Sequence, residues 1–417
     1  MIDFLATLDP AAGLATDASL LPPAPPHDLL WRVLVRLSCG RDDGTGKLLS
    51  PRVVGAYGHS RQDALVRGVG EAVERYALFP QGTEPPGTVR GRASELTGRR
   101  LDFARHALGD PRAADTVLTW YPARRLRDGA TVLVPAPLVD HPAADAHGLF
   151  DPGPSGAASG HGYDRALRSA LLETVERDAF VVAWERQLRL RPLDTAEARG
   201  DGRLRRLWDT ACRAGLVPLL ADLPTAVTGV ACTVGVVLDA EGSLATVGCN
   251  AVDDVRWSML GALQEALQVR SAIVNGRQEQ GYGAAPAAVL DDDDRLRHVA
   301  SAENFARVGA WTEGFAAPRP PRPTHPVSTD GIVRDLIAQG GDPLAVDLTH
   351  RLPAGLREMG WAAVKVVPAG LQPLRMNETL GFTRHPRRLA TAEARTGLVA
   401  ARPGTAGRPP TAPHPLP

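Results

Sequence analysis

One twelve-residue pattern occurs twice in this chain. Residues 64–75 (ALVRGVGEAVER) align without gaps with residues 166–177 (ALRSALLETVER), and each copy contains E-x-x-E-R after a Gly-rich turn. On an α-helix, side chains three or four residues apart lie on the same side, with Cβ atoms about 5–6 Å apart. The repeat therefore predicts two similar helices that each present a pair of carboxylates. These pairs are Glu71 with Glu74 and Glu173 with Glu176.

Two interpretations of these helices compete. Arg75 and Arg177 lie four residues beyond Glu71 and Glu173, so the motifs could be surface ion pairs worth a few tenths of a kcal/mol each. However, both helices are otherwise strongly apolar, and burying an unpaired carboxylate is costly. Mg²⁺ binds a few carboxylates together with phosphate oxygens, and arginine forks bind phosphate. The repeat therefore favours a site for Mg²⁺ and a polyphosphate.

A third helical segment carries a variant of the pattern. Glu265, Gln268 and Arg270 form E-x-x-Q-x-R. No P-loop accounts for phosphate binding, because in residues 41–50 Leu48 stands where that motif needs Ser or Thr and Arg41 where it needs Gly.

Apolar periodicity predicts long helices separated by β-rich segments, which indicates an α+β (mixed α/β) fold with mixed sheets. Residues 276–327 are predicted to be rich in loops, and the run Asp291–Asp294 is interpreted as a solvated loop or helix start rather than a metal site. The predicted helices cover about 61–79, 163–187 and 255–274. We divide the chain into an extended N-terminal arm (1–30), one large domain (31–388) and a Pro/Gly-rich tail (389–417).

Composition excludes several classes of function. The 47 basic residues balance 47 acidic ones, which argues against nucleic-acid and membrane partners. No apolar run reaches membrane-spanning length and no signal peptide is evident, so we expect a cytoplasmic protein. The four cysteines lie far apart without a CxxC pair, which predicts reduced thiols rather than a zinc site.

Three segments of the chain resemble the ATP-site segments of the YcaO family, in the same order and spacing. They are residues 56–78, 154–180 and 249–270, and the likeness extends over roughly residues 30–375. It implies a fold of pseudo-repeated helix and sheet units, with ATP and Mg²⁺ between the acidic helices.

The resemblance also implies roles for individual residues. Two positions depart from many relatives, because Arg67 replaces a Ser and Tyr57 replaces a Lys, and these departures bear on nucleotide contact. The implied metal or phosphate-site carboxylates are Glu71, Glu74, Glu173, Glu176 and Glu265. The implied nucleotide contacts are Arg75, Arg177, Gln268 and Arg270.

The end of the sequence, PHPLP (413–417), resembles the PxPxP tail of YcaO cyclodehydratases that make azolines. This implies that Cys, Ser or Thr residues of a ribosomal precursor peptide become thiazolines or oxazolines through ATP-dependent activation of the preceding amide. The Pro417 carboxylate is the expected proton acceptor, with His161 a weaker candidate.

Alternatives remain open from the sequence. One is a YcaO enzyme that forms thioamides or macroamidines, and another is a docking subunit without catalysis. Because residues 1–30 are too short to hold a leader-binding module, we expect a separate E1-like or leader-binding partner, and a homodimer is possible.

Overall fold

Antiparallel sheets and three long helices form the framework of the chain in a computed structural model. The helices are α1 Phe4–Leu8, α2 Arg61–Leu78, α3 Tyr163–Glu185, α4 Gly202–Arg213, α5 Val255–Gln280, α6 Asp292–Val299, α7 Ala302–Glu313, α8 Thr329–Ala338, α9 Ala354–Glu358, α10 Pro386–Ala390 and α11 Ala392–Thr396. The structure describes residues 2–39, 53–80, 82, 84–143, 148–195, 202–225, 227–280, 285–322, 324–400 and 412–416.

The strands are β1 Ala15–Leu21, β2 Trp31–Leu37, β3 Val53–Gly58, β4 Val89–Gly91, β5 Leu118–Arg125, β6 Thr131–Pro135, β7 Ala157–His161, β8 Arg191–Pro192, β9 Leu216–Asp222, β10 Ala231–Asp239, β11 Ala245–Val252, β12 Leu344–Asp347 and β13 Trp361–Val367. They form three sheets, with the orders β1-β2-β3, β11-β10-β9-β8 and β4-β5-β12-β13-β7, and β6 pairs with β5. The α+β class is confirmed. The ladders between these strands are all antiparallel, so the expected mixed sheets are not found among them.

Helix α2 begins directly after β3 and packs on the first sheet. Ser60 caps its N-terminus, since the Ser60 hydroxyl accepts a hydrogen bond from the backbone N–H of Asp63 at 3.2 Å. Where the helix crosses β2, a Cβ added to Gly68 would lie 2.6 Å from Cγ1 of Val33, so only glycine allows this close approach. The apolar side of α2 is thereby fixed against the sheet, and its charged motif lies beside that contact.

Helices α3 and α5 repeat this arrangement on the other two sheets. Helix α3 packs on β7 and β13 and also contacts β11, while α5 packs on β10 and β11. Helix α5 packs closely on β10 and β11 at two glycines, Gly235 and Gly248. A Cβ at either position would lie 2.5 Å or less from backbone atoms of the helix. Strand β11 is therefore close to both α3 and α5.

Three segments differ from their sequence-based description. Residues 1–30 contain α1 and the mostly exposed strand β1, which is held by pairing with β2 and so lacks a clear apolar pattern. The loop-rich segment 276–327 contains α6 and α7, which are capped by Asp291 and Ser301. In the predicted tail, 389–417, α11 forms and residues 412–416 are largely buried, because their apolar side chains pack into the body of the protein.

No helix in the described part of the chain is both long enough and apolar enough to cross a membrane.

Candidate functional site

The charged motifs of α2, α3 and α5 face one open cavity with about 1520 Å³ of empty space. That figure includes open solvent, and the cavity volume available to a ligand is about 530 Å³, which is within the roughly 300–1,000 Å³ of common small-molecule sites. Seven of the nine residues predicted to bind metal or nucleotide line the cavity. They are Glu71 and Arg75 from α2, Glu173, Glu176 and Arg177 from α3, and Glu265 and Gln268 from α5.

The two copies of the motif have matching ion pairs. Arg75 Nε donates to Glu71 Oε1 at 2.7 Å, and Arg177 Nε donates to Glu173 Oε1 at 3.4 Å. The second glutamate of each copy is near the same arginine, at 3.9 Å for Glu74 and 3.4 Å for Glu176. Burial opposes the charged form of both arginines, but these carboxylates prevail and raise the pKa of each guanidinium. The cavity therefore contains two permanent cations held by carboxylates.

Strand β11 fixes two of the carboxylates. Glu176 Oε2 accepts the backbone N–H of Ala251 at 2.9 Å, and Glu265 Oε2 accepts that of Cys249 at 2.7 Å. Residues two apart on a strand direct their N–H groups to the same side, so one strand edge orients carboxylates from two different helices. Both side chains are thus positioned before any ligand binds.

Negative charge in this cluster is only partly balanced. Burial, followed by the charge of Glu71, raises the pKa of Glu74 well above its usual value. Burial also raises the pKa of Glu176 and of Glu265. Like charges that must share a buried place favour a bound cation, which would lower these pKa values again.

The donor set fits Mg²⁺ that arrives with phosphate groups. Among the residues that the structure describes, no group of three or more His, Cys, Asp or Glu side chains is arranged to hold a metal alone. Mg²⁺ commonly uses one or two carboxylates, several waters and the phosphates of a substrate, so it needs no complete protein cage. The carboxylates and arginine forks found here match that requirement.

Two further charged residues line the cavity although the sequence gave them no such role. Asp292 is the first residue of α6, so the helix start predicted for the Asp291–Asp294 run is confirmed. The same residue also lines the cavity, to which it adds one carboxylate. Arg67, noted only as a departure from relatives, lies one turn before Glu71 and lines the same cavity. The position of Arg67, four residues before Glu71 on the same helix, could have predicted that it lines the cavity. No local sequence pattern predicted this for Asp292.

Lys365 is a buried cation beside the site. Its side chain lies on β13 and its Nζ donates to the carbonyl oxygens of Gly153 at 2.7 Å and Ser155 at 2.6 Å. Burial lowers its pKa to about 8, against the opposing effect of Glu173 and Glu74. Lys365 therefore anchors the loop whose Ser155 lines the cavity.

Three other predicted residues that the structure describes are not among those lining the cavity. Glu74 lies beside Arg75, with 3.9 Å between Glu74 Oε1 and Arg75 Nε. Arg270 points away from the cavity and donates to the carbonyl oxygens of Pro26 at 3.3 Å and His27 at 2.9 Å. At about 100° per residue, Arg270 lies roughly 200° around the helix from Gln268, which explains why it faces elsewhere. His161 is exposed in β7. Pro417 lies outside the described residues.

Tyr57 is buried and does not line the cavity. Its side chain packs in the core beside α5, and its carbonyl oxygen accepts a hydrogen bond from Gln264 Nε2 at 2.9 Å. Tyr57 therefore contributes an apolar contact between β3 and α5.

Comparison with known proteins agrees with this geometry. The family model described as YcaO cyclodehydratase, ATP- and Mg²⁺-binding, matches residues 55–372. An uncharacterized protein of Methanothermobacter thermautotrophicus is 29% identical over 231 residues, covering 53% of this chain and 58% of that protein. The chain thus spans little more than half the length of this relative.

Solved structures share the fold. A heterocyclase in complex with substrate and cofactor has a TM-score of 0.72 at 18% identity, covering 99% of this chain and 56% of that one. YcaO from Methanopyrus kandleri, bound with AMPPCP and Mg²⁺, has a TM-score of 0.62 at 20% identity, covering 86% of each chain. A chain of the E. coli microcin synthetase McbBCD complex has a TM-score of 0.61 at 12% identity, with coverages of 93% and 96%.

Proposed function

We propose, because this chain belongs to the YcaO family of ATP- and Mg²⁺-binding cyclodehydratases, that it uses ATP to activate backbone amides of a peptide. The observation that carries the proposal is the convergence of three helices on one cavity. Carboxylates from all three motifs and arginine forks from α2 and α3 meet there, and strand β11 holds two of the carboxylates in place.

Different residues of the cavity are proposed to bind the phosphates, the rest of the nucleotide and Mg²⁺. Arg75 and Arg177 orient phosphate oxygens through their guanidinium forks, and Gln268 contacts the nucleotide. Asp292 and Arg67 add one charge of each sign to the same cavity. Four carboxylates that line the cavity are proposed to hold Mg²⁺, namely Glu71, Glu173, Glu176 and Glu265. Glu74, which lies beside Arg75, is proposed to add negative charge to the same metal site.

Bound ATP supplies a phosphoryl group that makes the amide oxygen a leaving group, while Mg²⁺ offsets charge on the phosphates. The protein contributes positioning and electrostatic stabilisation. Because Glu176 and Glu265 are fixed by backbone N–H groups, little reorganisation is required when charge develops.

The proposed substrate is a ribosomal precursor peptide whose Cys, Ser or Thr residues become thiazolines or oxazolines. The PHPLP residues at 413–417 support this subclass, and so does the burial of residues 412–416 next to a wall of the cavity. A carboxylate at Pro417 is proposed as the proton acceptor. We also propose a separate E1-like or leader-binding partner. A similar fold occurs in the microcin synthetase complex that has been solved with pro-MccB17 bound.

Reconstitution with a precursor peptide and partner protein tests the proposal. Mass spectrometry of the peptide is expected to show a mass decrease equal to one water for each ring, because the amide oxygen leaves in inorganic phosphate. A nucleotide assay is expected to show one ADP for each ring. A product in which sulfur replaces oxygen would instead identify thioamide formation, and an amine adduct would identify an amidine. Unmodified peptide without ADP production would leave only a docking role.

The variant Arg177→Lys is expected to weaken binding of Mg²⁺ and a nonhydrolysable ATP analogue by about 10–100-fold. Lysine keeps the charge but loses the fork, and hydrogen bonds to charged groups contribute about 1.5–3 kcal/mol. Isothermal titration calorimetry measures the change. The control is Arg186→Lys, in an arginine just beyond the end of α3 that pairs with Glu393 at 3.4 Å. Equal affinity in both variants would contradict the assignment of Arg177.

A further inference from the structure

The C-terminal segment 412–416 is seated by buried hydrogen bonds. Leu416 is fully buried and the His414 residue is 1% exposed. The backbone N–H of His414 donates to Glu378 Oε1 at 3.0 Å, and its carbonyl oxygen accepts from Arg295 Nη1 at 2.9 Å. Its ring Nε2 lies 2.8 Å from the carbonyl oxygen of Arg375, to which it can donate. Both backbone polar groups of this residue are therefore satisfied by the body of the protein.

Arg295 is at the centre of this seat. Its side chain is 3% exposed, and Nη1 also pairs with Glu378 Oε1 at 2.8 Å. Its other terminal nitrogen, Nη2, donates to the carbonyl oxygens of Arg375 at 2.8 Å and Met376 at 3.2 Å. A buried guanidinium is retained only when its donors are satisfied, and here they join residues 375–378 to the C-terminal segment.

The same contacts connect the seat to the cavity. Arg295 lies one turn along α6 from Asp292, and Met376 and Leu374 line the cavity with Asp292. The carboxylate of Asp151 accepts the backbone N–H of Met376 at 2.9 Å, which fixes this stretch from its other side. The C-terminal segment is thus attached to a wall of the proposed active site.

We infer that Arg295 is a positioning residue, which holds the C-terminal segment against the cavity wall formed by residues 374–376. Glu378 completes this clamp, because it binds both Arg295 and the backbone of His414. The effect of the clamp on turnover rests on the proposed function, whereas the seating of the segment does not. Neither residue lines the cavity, so both act through the parts of the chain that they hold.

Hydrogen–deuterium exchange at the His414 amide tests the inference. In Arg295→Met this amide is expected to exchange at least ~10-fold faster, because local opening becomes easier when a charged donor is lost. The matched control is Arg297→Met on the same helix, whose exposed side chain pairs with Asp293 at 2.7 Å. The control is expected to exchange at the wild-type rate.

A second variant covers the possibility that Arg295→Met fails to fold. Arg295→Lys keeps a cation beside Glu378 but cannot form the same set of bonds, so an intermediate exchange rate is expected. Turnover should fall from the wild type to Arg295→Lys and again to Arg295→Met, as exchange at the His414 amide rises in that order. The KM for ATP should change less than kcat.

Exchange at the wild-type rate in both Arg295 variants would overturn the inference. So would faster exchange with unchanged kcat, because the clamp would then not serve the reaction. Failure of the proposed function has a different signature. The wild-type protein would form no ring at all, while the exchange difference between Arg295→Met and Arg297→Met would persist.

Discussion

Replacing Glu176 by glutamine is expected to reduce ATP-dependent turnover by at least ~100-fold, the scale for losing one charge-stabilising group in an active site. Glu176 is 8% exposed and accepts the backbone N–H of Ala251 at 2.9 Å. The glutamine carbonyl oxygen can accept the same hydrogen bond, so the fold is retained while the charge available to Mg²⁺ disappears. The measurement is the rate of ADP formation with precursor peptide and partner.

The control for this variant is Glu303→Gln. Glu303 is an exposed residue of α7 that pairs with Arg307 at 2.9 Å, so its loss should leave turnover unchanged. Thermal unfolding checks that both variants remain folded. A folded Glu176→Gln protein with wild-type turnover would refute the assignment of Glu176 to the metal site.

Deleting residues 413–417 is expected to lower ring formation by at least ~100-fold, because the proposed proton acceptor is removed together with the buried residues that hold it in place. Nucleotide binding should change by less than about tenfold, since none of the deleted residues that the structure describes lines the cavity. Mass spectrometry of the peptide and titration with an ATP analogue measure the two effects separately.

Pro413→Ala serves as the control for the deletion. Pro413 is partly exposed, and the substitution leaves His414 and Leu416 available to fill their buried positions. Near wild-type ring formation is expected in this variant. If the deleted protein still formed rings at the rate of this control, the C-terminal segment would have no part in catalysis.

The sequence predicted the motif helices well because their signals are local. Periodic apolar residues located α2 and α3 to within a few residues, and α5 extends further than predicted, to Gln280. The fixed spacing in E-x-x-E-R placed both arginines within reach of their glutamates, at 2.7 and 3.4 Å. Helical geometry alone also explains why Arg270 faces away from Gln268.

The remaining features depend on contacts between distant parts of the chain. Asp292 reaches the cavity only because α6 packs beside it, and the role of Lys365 depends on a loop about 210 residues earlier in the sequence. A Pro-rich tail has little capacity to fold by itself, but Leu416 becomes buried once a core exists to receive it. No periodic pattern in the sequence encodes such pairings.

We propose that the cavity between α2, α3 and α5 uses ATP to activate an amide oxygen of the peptide. A precursor peptide labelled with a heavy oxygen isotope at the reacting carbonyl tests this step. The label is expected to appear in inorganic phosphate, one atom for each ring formed. Label released only as water, with unlabelled phosphate, would contradict the claim.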